Sequence, residues 1–158
     1  MERDEELARC LWPWLSERLA RVGDDVLELE RRLERGEPCS ATFERLRERT
    51  EGFGWLLGCV AEALDGAPAS QRRAPLGLAW MVEALCEVGR ERGRPLLAQR
   101  PEPARPGVTR AQTWACARVL WRLGEEFPRR ALSVRAQGDG WVIEDGLGGR
   151  WTARQVSA

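Results

Sequence analysis

Residues 40–65, SATFERLRERTEGFGWLLGCVAEALD, hold the pattern that decides the first half of the fold. Their apolar positions alternate in steps of three and four, which is the heptad spacing of a helix with one continuous apolar seam. Ser40 is a suitable N-cap for this helix. The seam positions are Phe43, Leu46, Thr50, Phe53, Leu57, Val60 and Leu64.

A second helix of the same kind is predicted upstream, from about residue 4 to residue 35. Pro13 is expected to kink or break its first two turns, and the segment Gly36-Glu37-Pro38 ends it. The short connection makes the two helices an antiparallel hairpin. The apolar positions of this helix are Leu7, Leu11, Leu15, Leu19, Val22, Val26, Leu29 and Leu33.

Two helices cannot cover apolar stripes of this length by themselves, so the hairpin is expected to need a partner. A second copy of the chain is the simplest one, and it would give a homodimeric four-helix bundle. The alternative is that residues 70–158 fold back over the hairpin within one chain. The predicted dimer interface comprises Leu15, Leu19, Val22, Val26, Phe43, Leu46, Phe53, Leu57 and Val60.

The charge changes sign along the chain and predicts two domains. Residues 1–66 contain 16 acidic residues and 10 Arg, whereas residues 67–158 contain 9 acidic residues and 15 Arg. A linker rich in small residues, Pro and Gly is predicted over residues 65–70. The predicted domains are a dimerisation hairpin, residues 1–66, and a small α+β domain, residues 71–158.

The second domain is predicted to place helices on an antiparallel sheet. Helices are expected over residues 75–92 and after Thr109, which forms a capping box with Gln112. Residues 95–98 are a candidate edge strand. Residues 131–136 and 141–144 form a hairpin around Gly138-Asp139-Gly140, and residues 150–156 are a possible third strand. The fold class is therefore α+β.

Composition excludes several kinds of chemistry. The chain has no His and no Lys, which removes Ser-His-Asp triads, imidazole metal sites, Schiff bases and P-loops. The five Cys contain no CxxC pair, so they are expected to be buried thiols, with neither metal nor cofactor bound. The formal charge is zero, and neither nucleic acid nor a membrane is an expected partner. The absence of an apolar signal segment or a span predicts a cytoplasmic protein.

In order and pattern, the chain resembles a sensor histidine kinase core, which has a dimerisation and phosphotransfer hairpin followed by an ATP-binding domain. Residues 7–15, LARCLWPWL, are similar to the phosphoacceptor box. Residues 76–99 resemble the first ATPase helix with its strand, and residues 117–128, ARVLWRLGEEFP, resemble the helix of the Asn box. Residues 131–149, ALSVRAQGDGWVIEDGLGG, are similar to the strands that end in the D-x-G-x-G box. The resemblance implies a weak purine-nucleotide site at Glu144, Gly146 and Gly148.

The departures from that family point to a protein without catalytic residues. The phosphoacceptor His is absent, and its position falls on Ala8. The Mg²⁺-binding Asn falls on Arg122 or Leu123, either of which forfeits the oxygen ligand. Glu144 replaces the Asp of the glycine box, and no lid over a nucleotide is expected. Phosphoryl transfer needs positioned phosphates and metal, so none is expected.

A patch of Trp and Arg beside Pro13 is the predicted partner-binding site, and local packing on the second domain is the alternative. Arg9, Trp12, Trp14 and Arg18 have the composition of an interface hot spot, and they occupy the place where receiver domains dock in the family. The expected function is a signalling adaptor, or pseudokinase, that binds a response-regulator receiver domain or a partner kinase and modulates phosphotransfer. The alternative is a purine-nucleotide-binding sensor or enzyme that uses the second domain.

Overall fold

The computed structural model describes residues 2–65 and 70–153 and confirms the α+β class. The predicted linker falls largely on residues 66–69, which lie outside the described residues, as do residues 154–156 of the possible third strand. The described ranges contain four helices and two small antiparallel sheets. The elements are α1 (Glu2–Glu34), α2 (Ser40–Asp65), β1 (Arg73–Ala74), α3 (Gly77–Glu91), β2 (Val108–Thr109), α4 (Arg110–Glu126), β3 (Ser133–Gln137), β4 (Gly140–Glu144) and β5 (Arg150–Thr152).

The first two helices form the predicted hairpin. Arg49 of α2 donates to Asp25 of α1 at 2.6 Å, and the rings of Phe53 and Trp14 meet edge to face. The helix α1 runs through Pro13 as one element, so of the predicted kink or break the break is wrong and the kink stays a prediction. Tertiary packing explains the difference, because Leu11 and Leu15 on either side of Pro13 are buried and hold the two adjoining turns in place.

Burial along the hairpin is uneven. The buried part of α1 extends only from Leu7 to Leu15, and most of the buried part of α2 lies between Gly52 and Cys59. We call the end of the hairpin that holds these buried residues the open end. From there α1 and α2 continue with few buried residues to their connecting loop, which is the loop end. The hairpin therefore packs on the rest of the chain by its open end and projects from it by its loop end.

One cluster of buried residues joins the open end of the hairpin to the second half of the chain. It includes Leu7 and Leu11 of α1, Trp55 of α2, Leu85 of α3 and Leu120 of α4, and it extends into the β-sheet. The back-folding alternative therefore holds for this end of the hairpin. The division into residues 1–66 and 71–158 stays a prediction that rests on charge and composition.

The second half of the chain follows the predicted order, with two differences. The capping box of α4 is present, since Gln112 N donates to Thr109 Oγ1 at 3.2 Å and the Gln112 side chain accepts from Thr109 N. Residues 95–98 contribute only a single parallel bridge, from Ala98 to Leu132. The pair β1 and β2 was not predicted, since two-residue strands carry no periodicity.

The three-stranded sheet has the order β3-β4-β5. Val134 pairs with Ile143, and Gln137 pairs with Gly140 across the predicted turn. Gly138 has a φ of 57° there, which favours Gly in a tight hairpin turn. In the described ranges, no helix has the length and apolar character needed to cross a membrane.

Candidate interaction site

The hairpin has an outer face on which two apolar seams lie in the open. On α1, Trp12, Leu19, Val26 and Leu33 follow one another at intervals of seven residues. On α2, Phe43, Thr50, Leu57 and Leu64 do the same. The exposed fractions of the large apolar members run from 36% at Leu19 to 61% at Leu33, and Leu57 is half-buried. Heptad spacing is the geometry of a helix that packs against another helix.

The outer face differs from the predicted dimer interface. Leu15 is fully buried in the chain's own core, because α3 and α4 cover this end of α1, so it cannot lie between two copies. Phe53, Leu57 and Val60 pack partly against the same core. Val22 and Leu46 are half-buried. The predicted members that stay exposed are Leu19, Val26 and Phe43.

Two glycines lie within the hairpin helices, beside these seams. Gly23 lies four residues after Leu19 and three before Val26. Gly54 likewise lies four residues after Thr50 and three before Leu57. A Cβ built at either glycine would meet no other described atom within 4 Å. Mid-helix Gly costs about 0.5–1 kcal/mol relative to Ala. Contacts among the described residues do not account for that cost.

Of the four residues in the predicted partner-binding patch, two are exposed and two are not. Trp12 is 54% exposed, and Arg9 is exposed with only a 3.8 Å contact to Glu5. Trp14 is buried, which corrects the expectation of an open Trp pair. The steps from Leu7 to Leu11 to Trp14 are four and three residues, so helical periodicity places Trp14 with the core.

Trp14 and Arg18 hold α1 against α3. The indole N–H of Trp14 donates to Glu87 Oε2 at 2.7 Å, and Arg18 donates to the same oxygen at 2.9 Å. Burial raises the pKa of Glu87, but the hydrogen bonds from Arg18 and Trp14 outweigh it and the pKa is lowered overall. These two residues therefore fix the position of the hairpin on the second half of the chain.

A second junction joins α2 to α4. The guanidinium of Arg110 lies 5.3 Å from the ring centroid of Trp55, and it faces Glu62 at 3.4 Å. Gly58 makes room for it, since a Cβ at that position would overlap the Arg110 guanidinium. The nearby Cys59 thiol is buried, which raises its pKa to about 12.

The glycine-rich loop at the predicted nucleotide site is held by its own residues. Glu144 pairs with Arg135 at 2.9 Å across the β3-β4 hairpin. Asp145 Oδ1 accepts hydrogen bonds from Leu147 N and Gly149 N, each at 2.8 Å, and Oδ2 accepts from Arg130 at 2.9 Å. The backbone hydrogen bond from Leu147 is the main cause of the lowered pKa of Asp145.

Asp145 organises this loop, although it was not among the predicted site residues. The signal was an Asp that directly precedes a glycine-rich turn, since Asp side chains accept backbone hydrogen bonds two residues on. Gly146 and Gly148, named for the nucleotide site, have φ angles of 72° and 96°. Their conformation accounts for glycine at both positions without a ligand.

The other positions implied by the resemblance carry structural roles. Arg122, at the place of the Asn box, is exposed and lies 3.9 Å from Glu126. The five Cys are free thiols. The described residues contain no group of three or more Cys, Asp or Glu that could hold a metal ion. No family model, no curated protein and no solved structure matches this chain.

Proposed function

We propose that the chain is a non-catalytic adaptor related to histidine kinases, which works as a homodimer and binds a response-regulator receiver domain or a partner kinase. The observation that carries the proposal is the outer face of the hairpin, where two apolar seams run side by side and are largely exposed, with Leu57 packed partly against the core. A surface of that kind serves protein association.

The order of elements supports the relation to kinases. The helical hairpin is followed by a helix, a bridging segment, a second helix and an antiparallel sheet, the order on which the resemblance rests. The bridge from Ala98 to Leu132 brings the segment after α3 beside the segment before β3. The glycine-rich loop follows β4, as the resemblance implies.

The side chains at the expected catalytic positions support an adaptor rather than an enzyme. No His is present to carry a phosphoryl group. Arg122 carries a positive charge where a metal ligand would be needed, and Glu144 is already paired with Arg135. Without a phosphoacceptor and a metal ligand, phosphoryl transfer has no chemical route through these residues. A reducing cytoplasmic setting belongs to the proposal and agrees with five free thiols.

The partner is proposed to dock at the open end of the hairpin, around Arg9 and Trp12, while the second copy covers the outer face from Leu19 towards the loop end. Both side chains are exposed there, and a large aromatic ring beside an Arg is the composition found at interface hot spots. Trp14 and Arg18 position this site, because they bind Glu87 and so hold α1 against α3. A receiver domain bound at this end would be held without phosphate passing through the adaptor.

Capture of purified receiver domains by the immobilised full chain tests this function. We expect a panel of receiver domains to contain a binder, and Trp12→Ala or Arg9→Glu to weaken its binding at least about tenfold. Arg35→Glu, a charge reversal on an exposed residue at the loop end, is the matched control and should bind as the parent does. The molar mass of each variant is recorded alongside, so that loss of the dimer is not mistaken for loss of the partner. Equal binding by all variants would contradict the docking site, and a panel without any binder would contradict the function.

A further inference from the structure

We infer that a cavity between the hairpin and α3, which we call the inner cavity, binds a small molecule that carries an aromatic ring and a carboxylate. The inner cavity has a volume of about 410 Å³ and is lined by residues of α1, α2 and α3. Sites for small molecules usually have volumes of about 300–1,000 Å³ and combine apolar walls with a few polar groups. The ligand class follows from the rings and the charges of the wall, and it does not depend on the adaptor role.

The inner cavity lies on the side of the hairpin away from the outer face. Arg21 of α1 and Arg45 and Gly52 of α2 line it, and each follows a residue of the apolar seams by two positions. Two positions correspond to about 200° around a helix, so these residues point away from the seams. A second copy on the outer face would therefore not cover the inner cavity.

Aromatic rings form the apolar part of the wall. The Phe53 ring contacts the Trp14 ring edge to face, with 5.9 Å between their centroids. The Trp80 indole lies over Gly52, since a Cβ at Gly52 would be 3.1 Å from Trp80 Cδ1 and Nε1. Phe53 and Trp80 both line the inner cavity and are only half-buried. Aromatic rings pair with one another in edge-to-face or offset arrangements, so this wall favours a planar aromatic ligand.

The acidic side chains of the wall already have cationic partners. A carboxylate without a partner would favour a cationic ligand, and the described part of the wall holds none. Three Arg side chains form ion pairs with the four carboxylates, and the pairs are Glu87 with Arg18, Asp25 with Arg49, and Glu48 and Glu83 with Arg100.

Two hydrogen-bond donors of the wall have no partner among the described residues. They are the exposed guanidinium of Arg45 and the indole N–H of Trp80. Arg45 precedes Gly52 by seven residues, so it lies on the same face of α2, about 10 Å from the position that the Trp80 ring covers. Both donors need an acceptor, and a carboxylate binds Arg through charge-assisted hydrogen bonds. A ring held at Trp80 with a carboxylate directed towards Arg45 fits both groups.

Titration of the nitrogen-15-labelled full chain with indole-3-acetate, followed by NMR, tests the site. We expect the side-chain N–H signal of Trp80, assigned from its loss in Trp80→Phe, to shift and saturate with a Kd of about 1 mM or lower. The Trp151 signal should not shift, because Trp151 of β5 does not line the inner cavity. Indole-3-acetamide, which keeps the ring without the charge, should bind at least about fivefold more weakly. Absence of saturable binding, or equal Kd values for the acid and the amide, would overturn the inference.

Removal of the free charge tests where the carboxylate binds. Arg45→Gln should raise the Kd for indole-3-acetate at least about fivefold and leave the Kd for indole-3-acetamide unchanged, because only the acid uses the charge. Arg47→Gln is the matched control, since Arg47 is an exposed residue of the same helix that does not line the inner cavity. If both variants bind indole-3-acetate equally well, Arg45 does not hold the carboxylate and the inference fails.

Removal of the ring tests the aromatic wall. Trp80→Leu should raise the Kd for indole-3-acetate about tenfold, whereas Trp80→Phe keeps a ring and should raise it less. The backbone N–H signal of Gly52 follows binding in both variants, and circular dichroism checks that their helices are kept. Trp151→Leu is the control, because Trp151 is another half-buried Trp and lies away from the inner cavity. A Trp80→Leu chain that keeps its helices and binds as tightly as Trp151→Leu would overturn the aromatic assignment.

Discussion

Trp14 donates its indole N–H to the Glu87 carboxylate at 2.7 Å, and this bond fixes α1 to α3. Arg18 binds the same oxygen and lies 5.5 Å from the centroid of the Trp14 ring. Together these contacts hold the open end of the hairpin on the core and leave its outer face uncovered. The contact thus decides which residues of the two helices are available to another protein.

Stability should depend on pH through Glu87. Its pKa is lowered in the folded chain from an ordinary value of 4.5, so the carboxylate contributes stability above that pH and loses it as the pH falls through the folded pKa. We expect Glu87→Gln to destabilise the chain at pH 7, and the difference in free energy of unfolding between variant and parent to close as the pH falls below 4.5. Urea unfolding at a series of pH values measures this difference. A gap of constant size from pH 7 to pH 3 would show that ionised Glu87 contributes nothing.

Gly58→Ala should destabilise the junction between α2 and α4. The new Cβ would overlap the guanidinium of Arg110, which ends a flexible side chain and can move aside, so the cost is the lost contact with Trp55, about 1–2 kcal/mol, less the gain of about 0.5–1 kcal/mol from replacing a mid-helix Gly. The control is the same substitution in an Arg110→Ala background, where the clash is absent and the helix preference for Ala remains. A double-mutant cycle from denaturant unfolding gives the coupling. If Gly58→Ala costs the same in both backgrounds, Arg110 is not what requires glycine.

The periodic elements were predictable, because the signals that specify them lie within short stretches of the sequence. Heptad spacing in residues 40–65 and the capping box at Thr109 specify helices without help from distant residues, and both are present. The turn at Gly138 was predictable on the same ground. The pair β1 and β2 was not, because two-residue strands depend on tertiary contact rather than on a pattern.

Buried thiols should resist alkylation in the folded chain. Burial raises the pKa of Cys59 to about 12 and raises that of Cys116 as well, so little thiolate is present at either site at pH 8. Cys39 lies in the loop between α1 and α2 and is only half-buried. We expect iodoacetamide at pH 8 to modify Cys39 and to spare Cys59 and Cys116 until denaturant is added. Peptide mass spectrometry reads each position, and early modification of Cys116 would show that this core opens.

A titration with fluorescent ATP should not saturate. Glu144 is engaged by Arg135, and Asp145 closes the glycine-rich loop onto its own backbone. Fluorescence anisotropy up to millimolar nucleotide is the measurement, and Glu144→Ala is the matched variant. Saturable binding that Glu144→Ala abolishes would instead favour the purine-nucleotide sensor.

The sequence could not separate the inner from the outer residues of the hairpin. Trp12, Trp14 and Leu15 all fall within one apolar segment; the spacing from Leu7 to Trp14 fits the core, but only the packing of α3 and α4 shows that Trp14 and Leu15 are covered within the chain. The choice depends on contacts with residues more than seventy positions away, such as Glu87. The sequence also could not show that the space around Gly23 and Gly54 is free of other described atoms.

The most direct test of the central claim is the molar mass of the full chain in solution, measured by light scattering over a range of concentrations. We expect a homodimer of twice 17.9 kDa that dissociates on dilution and is weakened by Val26→Glu in the middle of the outer face. A mass of 17.9 kDa at every concentration would contradict it, since the outer face would then have no second copy to cover it.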